Sequence, residues 1–157
     1  MKNEEITLRN LIAKSGGFLE EPKYLEKIII TRNGSEVAAY DPEEVLSGKI
    51  DEFLEVGDVV YVKEFENLEV HVLGAVKKPG VFQVSPKEKI DLREIIAKAG
   101  GLSKDIEEID SITISRKGEI IRLDPGEIFL NGKLFAILPG DIVQVKEYIP
   151  KKAYILG

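Results

Sequence analysis

Few residues in this chain have a type and spacing that could do chemistry, and each has a structural use that competes with the chemical one. His71 is the only histidine. It could act as a base or a metal ligand, but it alternates with Val70 and Val72 in a strand-like run, and there is no second histidine or cysteine to complete a zinc site. Asp58 and Asp141 each follow a glycine, where a carboxylate could bind metal or exchange protons. The Gly-Asp pair occurs once in each half of the chain, however, and aspartate in such a turn bonds nearby backbone N–H groups. Asp41 and Asp124, each before a proline, read the same way. Gly100-Gly101-Leu102 has the glycine content of a phosphate loop, but a phosphate cradle opens a helix and these glycines follow one. Lys77 and Lys78, beside Pro79, could meet acidic sugars or an acidic face of another subunit, or simply keep a turn soluble. No G-x-S-x-G elbow is present. We therefore assign no catalytic, cofactor-binding or metal-binding residue, name no ligand-binding residue, and expect no cofactor.

The elements that carry these residues recur along the chain. Thr7-Leu8-Arg9-Asn10-Leu11-Ile12-Ala13-Lys14-Ser15-Gly16-Gly17 returns as Asp91-Leu92-Arg93-Glu94-Ile95-Ile96-Ala97-Lys98-Ala99-Gly100-Gly101, Asp91 standing 84 positions after Thr7. Both stretches place apolar residues at i, i+3 and i+4, the stripe of a short amphipathic helix. Thr7 and Asp91 are N-caps, Glu94 completes a capping-box pattern with Asp91, and each Gly pair supplies a left-handed stop. A hairpin follows each helix. The first turns at Asn33-Gly34, between 28–30 and 37–40, and the second at Lys117-Gly118, between 112–114 and 120–123. Asp41-Pro42 and Asp124-Pro125 then lead into short turns or helices at 43–46 and 127–130, and Gly57-Asp58 and Gly140-Asp141 open a last alternating strand. The offset slips to 83 between Asp41 and Asp124, a change that sequence reasoning puts in a loop, where insertions are tolerated.

The second copy also owns an opening hairpin. Val70, Val72 and Val76 form one strand, Lys77-Lys78-Pro79-Gly80 a tight turn with φ > 0 open to the glycine, and Val81, Phe82 and Val84 the return. Ala153-Tyr154-Ile155-Leu156-Gly157 echoes Val70-His71-Val72-Leu73-Gly74. The expected organisation is an incomplete repeat over 1–68, a full repeat over 69–152 and the start of a further one at 153–157. A mixed sheet with one helix across a face makes each an α+β unit with the strand order of a β-grasp fold. With its opening hairpin outside the chain, the first repeat should show an unpaired strand edge at 59–62 and leave Leu8, Leu11 and Ile12 under-covered.

Composition narrows the function classes. The 157 residues are 43% hydrophobic, enough for a real core, and the formal net charge of −6 argues against a phosphate-backbone binder. Residues 1–68 carry 8 Lys+Arg against 15 Asp+Glu, a net −7, and the remainder carries 14 against 13, a net +1. Such an acidic half reads as a solvated face. The absence of cysteine excludes disulfides and thiolate chemistry. No apolar run nears the roughly 18 residues of a membrane-spanning helix. The abundance of Lys and Glu, with Met, Gln and Cys scarce, is a pattern seen in thermophile proteins.

The pattern Val70-x-Val72-x-Gly74-x-Val76-x-x-Pro79-Gly80, then Leu92…Ile96…Ala99-Gly100-Gly101-Leu102, then Leu138-Pro139-Gly140-Asp141-x-Val143-x-Val145 resembles the SLBB family, the soluble-ligand-binding β-grasp domains. Tandem copies look most like those of bacterial capsule and exopolysaccharide export proteins. The resemblance implies a non-catalytic binding and assembly module in the cell envelope, periplasmic or outer-membrane associated. It would brace or line an oligomeric export channel, with targeting and membrane segments outside this chain. The partners implied are further copies, joined through sheet edges, and polysaccharide; nucleic acid is not expected. Two other readings stand beside it: a bracing module of a cytosolic redox complex, and a small soluble-ligand-binding domain.

Overall fold

A computed structural model describes residues 5–149. The chain divides into two compact units, Met1–Glu66 and Asn67–Gly157, and each builds its own core.

In the first unit, Thr7 caps α1 (Leu8–Lys14), its hydroxyl accepting the Asn10 N–H at 3.2 Å. Gly16 and Gly17 end the helix at positive φ, and the Gly17 N–H donates to the Ile12 carbonyl at 2.9 Å, which is the left-handed stop. Strands β1 (Leu25–Arg32) and β2 (Ser35–Tyr40) form a hairpin around Asn33-Gly34, both at positive φ as a type I′ turn requires. Pro42 opens α2 (Pro42–Leu46), and β3 (Val59–Glu64) closes the sheet in the order β2-β1-β3. Leu8, Ile12, Ile28, Ile30 and Val45 are the buried core, with Phe18, Ile50, Leu54, Val60 and Val62 packed against it.

The second unit begins with β4 (Glu69–Gly74) and β5 (Gly80–Gln83), followed by β6 (Ile90–Asp91), α3 (Leu92–Lys98), β7 (Ile109–Arg116), β8 (Glu119–Leu123), α4 (Pro125–Phe129), β9 (Ala136–Ile137) and β10 (Ile142–Glu147). Five strands form one mixed sheet, β5-β4-β10-β7-β8, in which β4 and β10 run parallel and the other pairs antiparallel. Helix α3 lays Leu92, Ile95, Ile96 and Ala99 against Val70, Val72, Ile112, Ile114, Val143 and Val145. This is an α+β, β-grasp-like architecture: a mixed sheet with one helix closing its apolar face. A small ladder, β6 with β9, ties the entry of α3 to the approach to β10; residues this few carry no readable period.

Four sequence expectations change. The first concerns the opening hairpin. Strand β4 stops at Gly74, which has φ +91, Ala75 and Val76 leave the strand, and Val76 bridges Leu102. Gly80 is the first residue of β5 and is not among the positive-φ glycines. The conformational freedom is used at Gly74, because a Cβ there would lie 2.0 Å from the Val145 carbonyl oxygen. The second change is at the cap of α3: Asp91 takes the Arg93 N–H at 3.3 Å and the Phe135 N–H at 2.8 Å instead of closing a capping box with Glu94. The tertiary donor, the Phe135 N–H, outcompetes the local motif.

The third change is the slip in offset, which falls inside a strand. Register shifts between Ile30 and Thr31, so that Ile30 pairs with Ala38 and Thr31 with Glu36, leaving Val37 as a bulge in β2, whereas β8 runs opposite β7 without one. Fourth, Leu8 is fully buried and Ile12 nearly so; of the stripe only Leu11 is left half-open. Phe18, Ile50 and Leu54 pack against these residues and supply cover. The echo at 153–157 lies outside the described residues.

Candidate ligand-binding cleft

Alternation along β10 sets the site. Val143 and Val145 point into the core, so Gln144 and Lys146 face the other side of the sheet. Opposite them, Lys146 pairs with Ser111 and Glu147 with Ile109, which leaves Asp110 bulged out of β7. A bulge re-aims a side chain, and here it turns Asp110 into an open cleft of about 790 Å³. Ser103, Gln144, Lys146, Glu147 and Tyr148 share its lining. A second hollow of about 470 Å³ shares Glu147, Tyr148 and Ile149 with the first and is otherwise walled by Lys104, Glu107 and Glu108. The Tyr148 N–H donates to the Glu108 carbonyl at 2.9 Å, which fixes the backbone there, and the exposed Tyr148 lines both hollows. An aromatic ring flanked by carboxylates, an amide and two lysines offers an apolar face together with acceptors and donors for hydroxyl groups. Four separate stretches of chain assemble this cleft (74–75, 103, 110 and 144–149), which is why no ligand residue was legible in any one of them.

The residues singled out by type lie elsewhere. His71 sits mid-strand, its ring half-exposed, its Nε2 3.8 Å from the Glu69 carboxylate, on the sheet face away from Val70 and Val72. Lys77 and Lys78 are bound through their backbones, their N–H groups donating to the carbonyls of Gly101 (3.0 Å) and Ala99 (2.8 Å). These bonds tie the connection between β4 and β5 to the C-terminal end of α3. Asp41 and Asp124 are helix N-caps, accepting the N–H groups of Glu43 at 2.8 Å and Gly126 at 2.9 Å.

Asp58 and Asp141 each put a buried carboxylate into a bidentate ion pair with a partly exposed arginine. Asp141 accepts from Arg116 Nε at 2.8 Å and Nη2 at 2.7 Å and from the Leu138 N–H at 2.8 Å, with 1% of its side chain exposed. Asp58 accepts from Arg32 Nε at 2.8 Å and Nη2 at 2.9 Å and from the Glu55 N–H at 2.8 Å. The backbone bonds were legible in the Gly-Asp pattern; the arginines, 26 and 25 residues upstream, were not. Each pair clamps the turn before the last strand to the end of the preceding hairpin strand. The Arg32 guanidinium and the Glu55 N–H hold the Asp58 carboxyl down at about 2, against some opposition from burial, and Asp58 in turn raises Arg32. Asp141 likewise raises Arg116. For Asp91, burial works against ionisation, but the Phe135 N–H and Arg93 outweigh it and the net shift is downward.

The sign of the Asp58 shift makes a prediction. Its folded value of about 2 lies below the ordinary 3.8, so the stabilisation is fully present above the ordinary value and is lost as pH falls through about 2. Thermal melts of the chain against pH should show the first unit weakening over that window, and Asp58→Asn should flatten this part of the profile. An identical acid profile in the variant would refute the assignment.

Among the described residues, no group of three or more His, Asp or Glu is placed to hold a metal ion, and no helix is long and apolar enough to cross a membrane. The fold and cleft together define a class: a β-grasp-like module with an open cleft of polar and aromatic lining. Residues 68–145, within the second unit, match the family model described as SLBB domain. No curated protein matches the chain.

Proposed function

We propose that the chain is a non-catalytic binding and assembly module of a cell-envelope polysaccharide export protein, in which such units brace or line an oligomeric channel. The observation that carries this reading is the SLBB match on a unit whose cleft displays Tyr148 between carboxylates and lysines. A polymer passing along a channel must be held weakly and released often, and an open groove with few enclosing walls suits that better than an enclosed pocket. The first unit, with its Arg32–Asp58 clamp and its hairpin around Asn33-Gly34, serves in this reading as a second SLBB-type unit.

Titration with soluble acidic and neutral oligosaccharides, followed by amide chemical shifts, tests the binding part. Millimolar affinity is expected, with shifts centred on Gln144, Lys146 and Tyr148. Tyr148→Ala should weaken binding roughly five-fold, the equivalent of about 1 kcal/mol for a lost ring contact. Micromolar binding of one defined small molecule would instead favour a soluble-ligand receptor, and shifts that avoid the cleft would remove it as the site.

A further inference from the structure

Strand β3 has an unused edge. Among the described residues it is hydrogen-bonded to β1 alone, whereas β10 lies between β7 and β4. The two strands otherwise meet their neighbours in matching register: Val60 and Val62 oppose Ile30 and Ile28, as Val143 and Val145 oppose Ile114 and Ile112. The consequence shows in burial. Val143 and Val145 are at most 1% exposed, while Val60 and Val62 remain half-open and line a hollow of about 280 Å³ with Leu11, Ile12 and Phe18. In the second unit the corresponding positions are closed by Val70 and Val72 of β4.

The sequence contains one further stretch with the pattern of β4. Ala153-Tyr154-Ile155-Leu156-Gly157 aligns with Val70-His71-Val72-Leu73-Gly74, and the dipeptide Leu-Gly occurs only in these two places. The glycine is the telling position, because β4 can lie against β10 only where no Cβ meets the Val145 carbonyl.

We propose that residues 153–157 of a second copy of this chain add to β3 as a parallel strand. The β4–β10 ladder, with His71, Val72, Leu73 and Gly74 beside Ile142, Val143, Gln144 and Val145, sets the register. Tyr154 comes beside Val59, Ile155 beside Val60, Leu156 beside Tyr61 and Gly157 beside Val62. Ile155 then fills the hollow as Val72 fills its own, and Tyr154 and Leu156 cover the exposed Val59 and Tyr61. The Tyr154 N–H donates to the Asp58 carbonyl, as the His71 N–H does to that of Asp141. Main-chain pairing supplies affinity and the alternate side chains supply specificity. The contact joins unlike surfaces, so it propagates head to tail and either closes a ring or runs open. This deepens the assembly half of the proposed function and rests on it; oligosaccharide binding at Tyr148 is measured independently.

The test is sedimentation of the 157-residue chain over a concentration series, alongside chain 1–152 and the full-length Gly157→Val variant, with β3 amide exchange read in each. Wild type should associate with concentration and protect the 59–62 amides only when associated. Both variants should melt like wild type and associate at least about ten-fold more weakly. Any of three outcomes overturns the proposal: a wild-type monomer at millimolar concentration, β3 amides already protected in a monomer (closure within one chain), or association unchanged by the variants. If association fails while oligosaccharide still titrates into the cleft, the binding reading survives without this interface.

Discussion

Gly74→Ala should cost the second unit on the order of 3–4 kcal/mol and drop its melting transition by well over 10 °C, at roughly 4–8 °C per kcal/mol for a domain of this size. Two terms add. Gly74 has φ +91, in the region that side chains avoid, and an ideal Cβ there stands 2.0 Å from the Val145 carbonyl oxygen and 2.9 Å from its carbon. That oxygen already accepts the Ala75 N–H at 2.9 Å, so neither backbone can move away without giving up the parallel ladder. Gly118→Ala is the matched control: its φ is +81, but nothing lies within 4 Å of the added carbon. It should lose only the conformational share, about 1 kcal/mol. Urea and thermal melts of the two variants read the difference directly. Equal losses at the two positions would mean that the close approach of β4 to β10 has no energetic weight.

Asp141→Ala should destabilise the same unit by about 2–4 kcal/mol and leave oligosaccharide binding unchanged. The carboxylate is buried and satisfies both the Arg116 fork and the Leu138 N–H. Removing it strands a guanidinium whose remaining acceptor in the structure is the Ala136 carbonyl at 2.9 Å, and breaking one side of a buried pair costs more than the pair itself contributes. Asp141→Asn keeps an acceptor for the Leu138 N–H and should lose about half as much. The cleft is lined by other residues, so affinity for sugar is the readout that separates a structural clamp from a ligand-binding carboxylate: a variant that keeps its melting point but loses binding reverses the assignment.

Residue type alone was a poor guide to the candidate cleft and a good guide to the scaffold. The single histidine and the paired lysines drew attention and proved to be a strand residue and a tethered connection. Tyr148, Gln144 and the bulged Asp110 drew none. Their signal is spatial: Asp110 joins the cleft through a one-residue shift in the β7–β10 register, and such a shift leaves no periodic trace. Arg32 and Arg116 were missed for a related reason. A long cation at a strand end is ordinary on a surface, and only the sheet brings it to the Gly-Asp turn.

Local chemistry was sufficient to determine the helices with their caps and glycine stops, the Asn33-Gly34 and Lys117-Gly118 hairpins, the Asp-Pro helix starts and the α+β class. Each depends on contacts within a few residues, or on a hydrophobic period, and both are written along the chain. The tertiary structure alone decided where glycine was obligatory, which N–H donors Asp91 accepts from, that Val37 bulges, how Phe18, Ile50 and Leu54 cover α1, and where the open cleft lies. Those outcomes depend on which distant backbone arrives at a given edge, and a carbonyl oxygen 2.0 Å from an absent Cβ belongs to no single stretch of sequence.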